Sequence, residues 1–245
     1  MYTVTDEYNS IIASHNHWFR TKIAINGVDY EENAILSASS KYRVFSSEQP
    51  TVGGCLAGEL EVEMLAPSGA IPRMAQVRPY VQAVNDTHES EWIPQGVYYI
   101  DTRETTHNDD GMDILTLHCY DAMLKAEADF PNTSISFPTK DYTVVQIIAQ
   151  GMGLQSVVNS DNGIDARTKT LMGEGSGVYD IKTLPIAYSM REVLSRIAAM
   201  YAGNWIMNYD GQLRLVALVE LPSETNYLID NAYEPITFGG DRILV

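Results

Sequence analysis

Three glutamates at alternate positions, Glu59, Glu61 and Glu63, form a cluster of ionisable side chains of a type that does acid–base chemistry. Paired carboxylates serve as general acid and base when one of them sits in an apolar pocket that raises its pKa. Here the residues between them, Leu60, Val62 and Met64, are apolar, and the alternation runs from Ala57 to Leu65. A period of two marks a half-buried strand, which sets the three carboxylates about 7 Å apart along one face. Nothing in the sequence around them supplies an apolar pocket. The stripe must instead point at water, at cations, or at something the protein is meant not to hold.

The other candidates are weaker still. His15 and His17 are spaced to share one face of a strand, but no third metal ligand lies nearby in sequence, so surface or packing roles take precedence. Asp109, Asp110 and Asp113 resemble a calcium loop without its terminal glutamate, and a plain turn accounts for them. The run GEGSG at Gly173–Gly177 imitates a phosphate cradle, yet no strand precedes it and Glu174 occupies the place an anion would need. Cys55 and Cys119 are outside any CxxC pair and read as buried small hydrophobes. His88, His107 and His118 are dispersed, and no nucleophile elbow, HExxH, Walker or dinucleotide fingerprint occurs. No catalytic residue, metal ligand or cofactor site follows from these residues.

The elements that carry these residues change character along the chain. Met1–Ser14 reads as a short helix or arm. Trp18–Val28 alternates and closes on Asn26-Gly27, the dipeptide of a tight hairpin turn. Ala34–Val44, the glutamate strand and the segment after Pro67-Ser68-Gly69 follow, the last two reading as an antiparallel pair. YYIDTRE and ILTLHCY then flank a turn at Asn108–Gly111. Short strands with turn signals at about ten-residue intervals predict an antiparallel barrel or sandwich.

Beyond Asp121 the pattern turns helical. Val144, Val145, Ile147, Ile148 and Met152 fall at helical spacing between Asp141, a plausible N-cap, and Gly153. Ser160–Gly177 is polar and reads as a mobile loop. Ser189 and Glu192 form a capping box ahead of Val193, Leu194, Ile197, Ala198 and Tyr201, with Gly203 placed for a left-handed cap. Asp210-Gly211 then signals a two-residue hairpin. The predicted fold is α+β and mainly antiparallel β. A barrel-like domain covers residues 1–127, with 234–245 returning to it, and a small inserted α+β domain of two helices and a hairpin covers 128–233. Because the chain stops on Ile-Leu-Val, it is expected either to be the front of a longer polypeptide or to pair its C-terminus into the sheet.

The formal net charge is −16, with 45% hydrophobic and 20% charged residues. Such a surface repels phosphate, so specific nucleic-acid binding and adhesion to an anionic membrane are both disfavoured. It suits a wall past which nucleic acid slides without sticking. No apolar run approaches the roughly 20 residues of a membrane helix, and Met1–Asn9 lacks a signal-peptide pattern, so a soluble, cytoplasmically assembled protein without a membrane anchor is expected.

An ordered set of segments resembles the baseplate hub proteins of tailed bacteriophages and prophages, in the front portion that precedes a tail-associated lysin. They are GGCLAGELEVEM (Gly53–Met64), IPRMAQVRPYV (Ile71–Val81), GVYYIDTRE (Gly96–Glu104), LTLHCYDAMLKAEADF (Leu115–Phe130), YSMREVLSRIAAMYAGNWIMNYDGQLRLV (Tyr188–Val216) and ITFGGDRI (Ile236–Ile243). The resemblance implies a virion structural protein that closes the tail tube as a homotrimer, touching distal tail or tube subunits around a DNA channel. It implies no enzymatic activity in this region. In that setting Glu59, Glu61 and Glu63 are expected to form an acidic wall of the channel. A hub of a contractile injection or secretion spike shares the architecture, and a fragment of a carbohydrate- or peptide-processing enzyme is the reading from a different class.

Overall fold

The computed structural model describes residues 4–45, 49–107, 111–131, 135–154, 163–184 and 187–218, with two short strands at Thr237–Phe238 and Asp241–Arg242. The expected turn at 108–110, the first residues of the expected loop at 160–177 and most of the expected returning tail at 234–245 lie outside the described residues.

The first half is β-rich, as its alternation requires. After helix α1 (Asp6–Ala13), capped by Thr5, come strands β1 (Trp18–Ile25), β2 (Val28–Tyr30), β3 (Ile35–Lys41), β4 (Glu59–Leu65), β5 (Gln76–Val84), β6 (Ile93–Pro94), β7 (Tyr98–His107) and β8 (Asp113–Asp121). They form one antiparallel sheet in the order β2-β1-β5-β7-β8-β4-β3, with β6 beside β5. Asn26 and Gly27 both take positive φ (50° and 85°), the geometry of the predicted tight turn between β1 and β2. β7 and β8 make the predicted hairpin, with a bulge between Ile100 and Thr102.

Two expectations about this half are corrected. The glutamate strand β4 does not pair with β5. It lies between β3 and β8, so that β4, β5, β7 and β8 adopt a Greek-key order in which the first strand returns beside the last. The connection from Ala66 to Ala75 is long enough to cross the sheet end, and alternation alone does not name a neighbour. The sheet also does not close into a barrel. β5 and β7 share only the pairs Gln76↔Tyr99 and Val77↔Tyr98, and β3 shares no ladder with β1 or β2. The inward residues on either side of that short ladder nevertheless meet. Ile23, Ile25 and Val77 pack with Leu60, Val62, Met64, Ile100, Leu115 and Leu117 in one core.

The second half holds a short 3-10 helix (Ala122–Glu127) followed by β9 (Thr139–Lys140), α2 (Asp141–Gly151), α3 (Ala166–Leu171), β10 (Asp180–Ile181), α4 (Met190–Met200) and the hairpin β11 (Gly203–Met207) and β12 (Leu213–Ala217). The capping box of Ser189 and Glu192 is formed on both arms, starting α4 where predicted. Val144, Val145 and Ile148 of α2 and Val193, Leu194 and Ile197 of α4 bury against Trp205, Met207, Leu213 and Leu215 in a second core. Trp205 is fully buried, its indole N–H donating to the Leu194 carbonyl at 2.9 Å.

Several local expectations shift here. α2 begins at Asp141 itself rather than using it as the cap, and residues 166–171 are helical where a loop was expected, because Asp165 caps them and buried Thr168 accepts the Leu215 N–H at 2.8 Å. Ala202, not Gly203, takes the left-handed conformation after α4, with φ 47°. Gly203 is needed for a different reason: a Cβ there would stand 2.6 Å from the Val216 carbonyl oxygen across the ladder. The second hairpin turns through Asn208–Gly211 rather than two residues, with the Asn208 side chain accepting the N–H groups of Asp210 and Gln212.

Candidate functional site

On β4 the predicted alternation holds: Leu60, Val62 and Met64 are buried, Glu61 is exposed, and Glu59 and Glu63 are half-buried. All three carboxylates lie on the solvent face of the sheet. Their cross-strand neighbours are Lys41, Ser39 and Ser37 on β3 and Tyr120, His118 and Thr116 on β8. His118 Nδ1 lies 3.9 Å from Glu61, and the Ser37 hydroxyl donates to Glu63 at 3.4 Å. The depression beside them, lined by Lys41, Glu59, Glu61, His118 and Tyr120, is only about 50 Å³. That is too small for a substrate. The geometry supports an electrostatic surface.

The remaining candidates stay apart. His15 and His17 fall in the bend before β1 rather than on a strand, and His17 Nδ1 sits 2.9 Å from the Ser14 carbonyl. His88 contacts Thr87 at 2.6 Å, and His107 pairs with Asp113 across the β7–β8 hairpin. Asp109 and Asp110 lie outside the described residues. Among the described residues no three His, Cys, Asp or Glu side chains converge as a metal site would need. Both thiols are buried and free. Burial pushes Cys55 up to about 11 and Cys119 up to about 12, so neither offers a thiolate nucleophile near neutral pH.

A buried polar junction between the two cores was not legible in the sequence. The segment Gly53–Leu56, preceding β4, runs alongside β11: Gly53 N–H donates to Gly203 O, Trp205 N–H to Gly54 O, and Leu56 N–H to Trp205 O. Asn204, fully buried, accepts the Gly54 N–H at 2.6 Å and donates to the carbonyls of Val44 and Thr51 at 2.9 and 2.7 Å. Arg191 of α4 donates to the carbonyls of Cys55 and Met123, and its Nε stands 2.5 Å from Glu127 without aiming its hydrogen there.

Asp121, at the end of β8, accepts N–H groups from Gly58 (2.6 Å) and Met123 (2.9 Å). Its burial raises the carboxyl to about 7, against the pull of those donors and of Arg191. Beside it Tyr42 and Tyr98 both donate to the Gln95 carbonyl, and Tyr209 of the β11–β12 turn packs edge-on against Tyr42, with ring centroids 5.7 Å apart. Desolvation lifts Tyr42 to about 12 and Tyr98 higher still, so both remain neutral donors. Every acceptor here is main chain or part of the junction, which makes it a structural joint. The one advance signal was the co-occurrence of Gly-Gly at 53–54 with an apolar-flanked Asn204, and it gives no pairing.

No family model matches the chain, and no curated protein matches it. Solved structures do. The chain is similar to the 43 kDa tail protein of prophage MuSo2 from Shewanella oneidensis, with 13% identity and a TM-score of 0.51, over 86% of this chain and 59% of that one. It is also similar to the tail protein from Neisseria meningitidis MC58, with 12% identity and a TM-score of 0.48, over 89% of this chain and 53% of that one. The chain thus spans between half and three-fifths of the length of these proteins, and at such identity the likeness is one of fold.

Proposed function

We propose that this chain is a structural subunit of a phage or prophage tail, at the baseplate hub, where three copies close the tail tube around the DNA channel and contact distal tail or tube subunits. The observation that carries this reading is the likeness of fold to the Shewanella prophage tail protein across 86% of the chain. Two further features support it. The functional candidates resolve into a solvent-facing carboxylate stripe and a structural joint rather than a reactive constellation. The net charge of −16 is that of a surface on which DNA would not lodge, because no counterions are released on contact. In this reading the protein acts in the virion tail without catalysis, and Glu59, Glu61 and Glu63 form part of the channel wall.

The test is cryo-electron microscopy of tails assembled with this chain. The expected result is a three-fold ring at the tube end, with a passage wide enough for duplex DNA and the three glutamates on its lumen. Failure of the chain to enter tails overturns the assignment, and a ring carrying the glutamates on its outer surface overturns the channel-wall role.

A further inference from the structure

The edge of β1 is only half used. β2 pairs with β1 at Ile23, Ala24 and Ile25 and then leaves through a turn at Glu31–Ala34. Ile23 and Ile25 direct their N–H and C=O groups toward β2, as the tight turn between Ile25 and Val28 requires. By the period of two, Phe19 and Thr21 direct theirs the same way. Among the described residues no strand lies there, although β1 stays paired with β5 as far as Trp18. A cleft of about 460 Å³ reaches from this side, at Thr21, Glu31 and Glu32, over the face of β1 to Gln82 and Trp92 beyond it. Trp18 and Phe19, 44% and 49% exposed, stand on opposite faces of the strand at its end.

The charges around this edge are unbalanced. Arg20 is held by Glu89 at 2.7 Å, and Lys22 by Asp29 at 3.1 Å while its ammonium lies over the rings of Tyr80 and Trp92. Both cations are thereby occupied. Glu31 and Glu32 are exposed and make no ion pair among the described residues, which leaves the cleft with two uncompensated negative charges. We infer that the Trp18–Lys22 edge takes up an extended, basic segment of a partner protein by strand addition. Phe19 and Thr21 supply main-chain hydrogen bonds, Trp18 and Phe19 contact alternate side chains, and Glu31 and Glu32 select lysine or arginine. This inference stands independently of the tail assignment.

The probes are two synthetic peptides of about eight residues, one alternating lysine with valine and the other glutamate with valine. The basic peptide is expected to bind at least about tenfold more tightly, by fluorescence anisotropy at low salt. Binding should slow amide exchange at Phe19 and Thr21 about tenfold or more. Thr21→Pro removes an outward N–H that the fold itself does not use, so it should abolish binding while leaving the melting temperature within a few degrees. Should that variant not fold, Glu31→Lys combined with Glu32→Lys gives a second reading and should reverse the preference between the peptides. Equal affinity for both peptides, no binding of either, or self-association of the chain through this edge overturns the inference.

Discussion

Asn204 shows how much of the joint rests on single side chains. It is wholly buried, and its three hydrogen bonds hold Val44, Thr51 and Gly54 against β11. Asn204→Ala leaves one N–H and two carbonyls without partners, and a loss of about 3 kcal/mol is expected in chemical denaturation. Asp121 gives a pH dependence. Its folded value of about 7 lies above the 3.8 of an unperturbed aspartate, so the folded chain keeps a proton that the unfolded chain has released between those values. The stability contributed by this group is therefore fully present below about pH 4 and lost as pH rises through about 7. Subtracting the stability profile of Asp121→Asn from that of the parent should isolate this fall. A flat difference across the window would show that the carboxyl is ionised in the fold.

At the level of elements, the two glycines that border hairpin strands do different work, and substitution separates them. Gly27 needs its positive φ of 85°, but a Cβ there meets nothing within 4 Å. Gly27→Ala should cost only the backbone strain, about 1 kcal/mol. At Gly203 a Cβ would press on the facing backbone at 2.6 Å, so Gly203→Ala should cost about 2–3 kcal/mol and loosen the pairing of β11 with β12. Amide exchange on Arg214 and Val216, whose N–H groups face β11, reads that loosening directly. Ser189→Ala, which removes one arm of the capping box, should cost about 1 kcal/mol and fray the first turn of α4.

For the molecule as a whole the dominant quantity is its charge. The stripe on β4 lies on the solvent face, with Lys41 across from Glu59 and His118 3.9 Å from Glu61. Exposed pairs of this kind contribute little to stability. Replacing Glu59, Glu61 and Glu63 together by glutamine should therefore leave the denaturation midpoint nearly unchanged. If the stripe lines the channel as proposed, the same replacement in assembled tails should slow DNA release, most strongly at low ionic strength where the field is least screened. A variant that releases DNA at the parental rate at low salt removes the channel-wall role.

The sequence by itself determined what depends on neighbours in the chain. The outward glutamates of β4, the Asn26-Gly27 turn, the β7–β8 hairpin and the capping box of α4 all follow from periodicity or a local hydrogen bond within a few residues. Tertiary structure alone decided which strands are neighbours, that the sheet stays open instead of closing, and that Gly53–Leu56 joins β11 through Asn204 and Arg191. Alternation says which face of a strand is buried and is silent on its partner. Contacts spanning about 150 residues are chosen by the packing of whole cores, which no short window of sequence contains.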